Sequence, residues 1–223
     1  MKVRAISLTH ELNTYEVAKT AEELMVYCAR VSSPQNQNNT ETGAKLLKYC
    51  FDNGHWSVFE MADFTVEIET SIAVSRQLLR HKSFSFQEFS QRYADASQLG
   101  FEDVKLRKQD KKNRQNSLDA FDGETKDYYG DRIQAHLARG RELYLDLVSD
   151  DVQVAKECAR MILPMCTTTR MYMKGSVRSW IHYLQVRLDP STQLEHREVA
   201  LAILEEFKKY FPVCAGLLKG EVK

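Results

Sequence analysis

The chain has 223 residues, 43% of them hydrophobic, which is enough for one domain with a substantial core. Its 31 Lys and Arg balance 31 Asp and Glu, so no global field draws it to nucleic acid or an anionic membrane, and any anion site must be a local concentration of charge. Five Cys with no CxxC spacing argue for reduced thiols and against a structural zinc site, and the absence of an apolar signal core or a membrane-length run leads us to expect a soluble, cytoplasmic protein (host cytoplasm if viral).

Val3 to Leu8 reads as a first strand. Thr20 and Glu23 make a capping box that opens a helix with Leu24, Tyr27, Cys28 and Val31 on its buried face, expected against a sheet. Arg30 and Ser32 lie at its end, before an Asn-rich loop, and are given no role. A second helix covers about 43–53, with Leu47, Cys50 and Phe51 at helical spacing and Gly54 as its stop. Alternation over Phe64 to Glu69 predicts a strand, and SIAVSRQLLR after it a short helix capped by Ser71, with Gln77 sharing a face with Arg80 and His81.

The stretch Arg80 to Arg92 mixes cations, a carboxylate and hydroxyls among aromatics, which no ordinary core segment needs. An extended reading from Phe84 puts Glu88, Ser90 and Arg92 on one side and Phe89, Gln91 and Tyr93 on the other. Arg supplies a fork for phosphate, Glu accepts from a sugar hydroxyl or ring N–H, and Ser does either, so the cluster suits an anionic planar ligand such as a nucleotide. The plain alternative is a solvated helix end followed by a strand with a polar outer face.

Residues 94–125 turn polar and irregular, and their basic run 105–114 reads as a solvated loop. A long helix is expected over about 125–149, from the stripe Ile133, Leu137, Gly140, Tyr144, Leu147 and Val148. A shorter one runs from Val152 to Ile162, stopped before Pro164. Thr167 to Met173 is β-branched and reads as a strand. Gly175 and Ser176 open the next helix, where Val177, Trp180, Ile181, Leu184 and Leu188 line one face, Arg178, His182 and Gln185 another, and Arg187 neither. Ligands on separate faces suggest an oligomer with shared sites. In the last helix Val199, Ile203 and Phe207 are core. No GxGxxG, GxxxxGK[ST] or HExxH occurs, so neither a Rossmann fold nor a P-loop is supported.

Arg80-His81-Lys82, seven residues, Ser90, one residue, Arg92 resembles the RHR, seven residues, S, one residue, R signature of the flavin-dependent thymidylate synthases, with Lys82 in place of the third Arg. The resemblance covers roughly 20–93 and 150–210, including Ala29 to Ser32, His55 to Glu60 and the R-x-x-L-P run Arg160 to Pro164. It implies an α+β, non-Rossmann fold with a twisted, largely antiparallel sheet flanked by two groups of helices, a single domain over 1–223, and a homotetramer whose active sites are shared between subunits.

The implied reaction is reductive methylation of dUMP to dTMP, with FAD as cofactor and NADPH and methylenetetrahydrofolate as co-substrates. Gln77, Arg80, Glu88, Ser90, Gln91, Arg92, Arg160 and Arg187 would hold dUMP, Arg187 also acting on charge developing on the uracil. Ser57, Arg80, His81, Lys82, Glu88, Ser176, Arg178 and His182 would contact FAD, and His55 would lie near the folate, Glu60 helping to shape the site. The family often has Asn where this chain has Ser176 and His182. No nucleic acid, membrane or metal is implied. The rival readings are a nucleotide- or single-strand-RNA-binding module, in which Phe84, Phe86, Phe89 and Tyr93 stack on bases, and an inactive flavin-binding paralogue.

Overall fold

A computed structural model of the chain describes residues 1–12, 17–94, 100–119 and 121–218. The fold is mixed, with eight α-helices among the described residues and a four-stranded antiparallel sheet in the order β1-β2-β6-β3. These strands are Lys2–Leu8, Asp63–Ser71, Ser85–Glu88 (β3) and Thr168–Ser176 (β6). The chain divides into two compact units: the first holds Met1, 69–80 and 87–171, the second 2–68, 81–86 and 172–223.

In the second unit, α1 (Ala21–Ala29) starts at the expected capping box: Thr20 Oγ1 accepts the Glu23 N–H at 3.1 Å, and Glu23 Oε2 accepts the Thr20 N–H at 3.3 Å. Its buried face is not the one its apolar spacing predicts. Ala21, Glu22, Met25 and Val26 are buried, whereas Val31 is 69% exposed, and the helix packs against α2 (Gly43–Asp52) and a 3-10 turn, Trp56–Glu60. The cause is Glu22, whose carboxylate accepts the backbone N–H groups of Val213 and Cys214 at 3.2 and 2.8 Å, at the start of α8 (Pro212–Leu217). Those are donors a helix start cannot satisfy internally, and meeting them turns α1 about its axis. Buried Arg30 closes the Asn-rich loop by donating to Asn36 O at 3.0 Å, to Asn39 O, and to Thr42 Oγ1 at 2.7 Å.

The core of this unit is aromatic. Phe64 meets Trp180, Phe207 and Phe211 at centroid distances of 5.7, 6.0 and 5.6 Å, and the Trp180 indole N–H donates to Phe64 O at 2.9 Å. Trp180 belongs to α6 (Val177–Arg187), and Phe207 to α7 (Leu194–Tyr210), which packs on both α6 and β1. The expected stripe of α6 is buried along its length. Each such side chain contributes about 1.5–3 kcal/mol on leaving water, and edge-to-face contacts add to that.

In the first unit, α3 (Ile72–Leu78) begins after Ser71, but the Ser71 hydroxyl makes no capping bond. The Ile72 and Ala73 N–H groups are taken by Thr167 O and Met165 O at 2.9 and 3.0 Å, which leaves those first donors no need of a side-chain cap. The long helix α4 (Gly123–Leu147) matches its stripe, with Leu137 and Tyr144 buried. The helix expected over 152–162 is shorter. Gln153 has φ +55°, and the Val154 N–H bonds back to Leu147 O at 2.8 Å, so only Lys156–Ala159 (α5) is α-helical before a 3-10 turn, Arg160–Ile162. The basic run is more ordered than a loop: Lys108 and Gln109 (β4) pair with Leu118 and Ser117 (β5), and Asp110 accepts from Lys112 N, Asn113 N and Asn116 Nδ2 across the turn.

Candidate active site

The sequence pattern places Arg178, His182 and Gln185 on one face of α6, and that face opens on a cleft of about 470 Å³ in the second unit. Trp56 and Glu60 line it from the 3-10 turn, Ser83 from the segment before β3, and Ser179 from the first turn of α6. Arg178 Nη1 pairs with Glu60 Oε1 at 2.9 Å, both side chains about half exposed, so the guanidinium stays accessible from solvent. The Ser179 hydroxyl donates to Ser83 O at 3.2 Å and ties the 81–86 segment to the helix.

Ser176 is buried, and its hydroxyl accepts the Ser179 N–H at 3.3 Å as the cap of α6. Gly175 before it is obligatory for a packing reason: a Cβ there would lie 2.6 Å from Phe84 Cδ1. Phe84 in turn stands edge-on to Trp180, with centroids 4.7 Å apart, which anchors the segment carrying His81, Lys82 and Ser83.

Arg187, the last residue of α6, donates through Nε to His81 Nε2 at 2.9 Å. His81 is therefore neutral with its proton on Nδ1. Burial, and after it the Arg187 guanidinium and the neighbouring His182 side chain, pushes its pKa down to about 4. Behind it lies Tyr183, ring centroids 5.0 Å apart, and the Tyr183 hydroxyl sits 3.2 Å from Nε2 of fully buried His196. Burial pushes the Tyr183 hydroxyl up and, with Arg187 and His81 nearby, the His196 imidazole down to about 3.

Of the remaining residues expected at the flavin or folate, Ser57 and Lys82 are exposed, and His55 is exposed with its ring edge-on to Tyr49 at 5.7 Å. The cleft suits a planar, anionic group. A cation with a free side, an imidazole, an amide and an indole provide charge, donors and a stacking surface, and its volume is that of a ligand site.

Most residues expected at dUMP fall in the first unit: Gln77, Arg80, Glu88, Ser90, Gln91, Arg92 and Arg160, with only Arg187 in the second. The extended register expected through Arg92 does not hold. β3 stops at Glu88, Phe89 N–H bonds to Arg170 O at 2.8 Å, and the Tyr93 and Ala94 N–H groups then close a turn on Ser90 O. Glu88, Ser90 and Arg92 thus do not share one strand face. Glu88 Oε1 accepts from the Thr169 hydroxyl at 3.2 Å, and exposed Arg92 pairs with Glu157 at 3.3 Å, an ion pair in solvent that a phosphate can displace at little cost. Gln77 and Arg160 are half-buried and Arg80 is exposed just past α3. Gln91 carries a buried side-chain nitrogen that has no partner among the described residues, the mark of a donor awaiting an acceptor.

Trp56, Ser83 and Ser179 line the cleft without having been singled out from the sequence as ligands, and the Tyr183–His196 pair went unread because both residues sit in helices dominated by apolar stripes. Ser83 lies inside the stretch whose composition was already unusual, so that signal was present.

The family model described as "Thymidylate synthase complementing protein" matches residues 12–213, and the chain belongs to that family. Among its relatives, the flavin-dependent thymidylate synthase of Synechocystis sp. is 51% identical over 220 residues, covering 98% of this chain and 100% of that protein. The probable flavin-dependent thymidylate synthase of Paramecium bursaria Chlorella virus 1 is 45% identical over 218 residues, covering 98% and 99%. A flavin-dependent thymidylate synthase of Thermus thermophilus is 32% identical over 192 residues, 86% of this chain and 69% of that protein.

Proposed function

We propose that this protein converts dUMP to dTMP, as a transferase that uses bound FAD, NADPH as reductant and methylenetetrahydrofolate as carbon donor. The observation that supports this is the near full-length match to relatives named flavin-dependent thymidylate synthases, the first of them covered over its whole length. The entire chain works as one synthase domain, and four copies assemble so that residues from several subunits complete each active site. Among the described residues no helix is long and apolar enough to cross a membrane.

In this reading Arg80, Ser90, Arg92 and Arg160 grip the nucleotide, with Gln77, Glu88 and Gln91 completing its donors and acceptors. Arg187 faces the uracil and stabilises negative charge as it builds there, which makes C5 the nucleophile. Arg178, His182 and Lys82 hold the flavin in and beside the cleft, joined by Ser57 and His81, with contributions from Arg80, Glu88 and the Ser176 end of α6. His55 lies on the folate side. Bound flavin supplies the hydride chemistry, and the protein supplies position and charge.

Flavin titration tests this: the protein is expected to take up FAD with the yellow absorption of a flavoprotein, and NADPH to bleach it faster when dUMP is present. A colourless protein that takes up no flavin overturns the proposal.

A further inference from the structure

We propose that His81 is a positioning residue for Arg187: it accepts the Arg187 Nε–H and so aims the two Nη groups at the ring of the bound substrate, while the buried Tyr183–His196 pair holds the His81 ring in place. This rests on the functional reading above for its catalytic consequence, and on the 2.9 Å contact for its geometry.

An arginine on the last turn of a helix has four side-chain torsions and, left free, spreads its fork over many directions. Anchoring Nε fixes the guanidinium plane and leaves the Nη1 and Nη2 N–H groups as charged donors held in one direction, ready for an oxygen on which negative charge builds. Only a lone pair can receive an N–H, so the contact requires a neutral His81 protonated on Nδ1. The surroundings enforce that state. His81 is half-buried, the Arg187 guanidinium beside it opposes a second positive charge, and its other neighbours are the rings of Phe84, Tyr183 and His196 at 6.4, 5.0 and 6.3 Å.

Orientation of His81 comes from behind. The Tyr183 ring stands at 75° to it, and Tyr183 is itself fixed by its hydroxyl contact with His196, which is 0% exposed. A chain of contacts therefore runs from the α7 core through α6 to the guanidinium that would act on the substrate. A donor prepared before charge develops spares reorganisation during the reaction, which is why an indirect contact can govern turnover.

The test combines nitrogen NMR of arginine- and histidine-labelled protein with kinetics. The Arg187 Nε–H is expected as a resonance protected from exchange, and His81 as the neutral Nδ1–H tautomer at neutral pH. His81→Leu is expected to abolish the protection and lower kcat with dUMP by about 10–100-fold, the range seen when a supporting partner of a functional group is lost. Because His81 also stands among the flavin contacts, kcat is measured at saturating FAD, so that weaker FAD binding does not enter the comparison. His81→Gln, whose amide oxygen can accept the same bond, should recover most of the rate, and adding His81→Leu to Arg187→Ala should cost nothing further. Tyr183→Phe, which keeps the ring and loses the His196 contact, should lower kcat less than His81→Leu.

An imidazolium or Nε2–H tautomer at neutral pH, an additive double variant, or a loss confined to FAD binding overturns the inference. A protected Arg187 Nε–H in a protein that never converts dUMP overturns the functional reading, and with it the catalytic half of this inference.

Discussion

The ring of Phe84 lies against the backbone of Gly175 so closely that a Cβ on Gly175 would stand 2.6 and 2.7 Å from Cδ1 and Cε1. Phe84 is only 8% exposed and is wedged against Trp180, so it has little room to retreat. Gly175→Ala should therefore destabilise the protein by about 1–3 kcal/mol, through overpacking, and displace the segment that carries His81 and Lys82. Urea unfolding measures the first effect and FAD affinity the second. Unchanged values of both would mean that the segment is not held this way.

Acid should unfold the protein through its buried imidazoles. His81 and His196 have folded-state pKa values near 4 and 3, below the ordinary 6.5, so between those values the unfolded chain binds more protons. Stability contributed by the neutral rings is complete above pH 6.5 and is lost as pH falls toward 4. With up to two protons taken up on unfolding, the slope is on the order of 2 kcal/mol per pH unit near pH 5. Replacing His196 by Leu should roughly halve the slope in urea unfolding measured between pH 7 and pH 5, and an unaltered slope would refute the assignment.

No cysteine should prove to be a nucleophile for dUMP. Burial pushes the thiols of Cys50, Cys166 and Cys214 up, so none of the three supplies a thiolate at neutral pH, and the chain has no other Cys than these, Cys28 and Cys158. Each single Cys→Ser variant is expected to keep turnover per folded molecule, with Cys214→Ser losing stability because it buries a hydroxyl. A covalent dUMP adduct on any cysteine, found by mass spectrometry, would contradict this.

Lys82 stands where the signature carries Arg, and it is exposed. Lysine keeps the attraction to an anion and gives up the planar fork. Lys82→Arg should bind FAD equally or more tightly and stay active, whereas Lys82→Gln should weaken FAD binding and slow its reduction by NADPH. If Lys82→Gln behaves as the parent protein does, the side chain does not face the cofactor.

Features that rest on local spacing were legible in the sequence. The Thr20–Glu23 capping box, the Gly54 stop at φ +69°, the α4 stripe and the two faces of α6 are all set within a few residues. What the spacing missed is set from far along the chain. The buried face of α1 follows Glu22, which bonds residues 191 and 192 positions away. The end of β3 follows the Phe89 bond to Arg170 O and the turn at Ser90. His81 and Arg187 lie 106 residues apart, and neither the motif around the first nor the helix around the second signals that they bond. The same holds for Tyr183 and His196, two polar groups in apolar stripes whose pairing satisfies each other in the core.

The most direct measurement is conversion itself: purified protein supplied with FAD, NADPH, methylenetetrahydrofolate and dUMP, with the nucleotide products separated and quantified. The account predicts dTMP formed in step with NADPH consumed, none without FAD, and a strong loss of rate in Arg187→Ala while that variant's flavin is still reduced by NADPH. A folded, FAD-loaded protein that yields no dTMP under these conditions would contradict it.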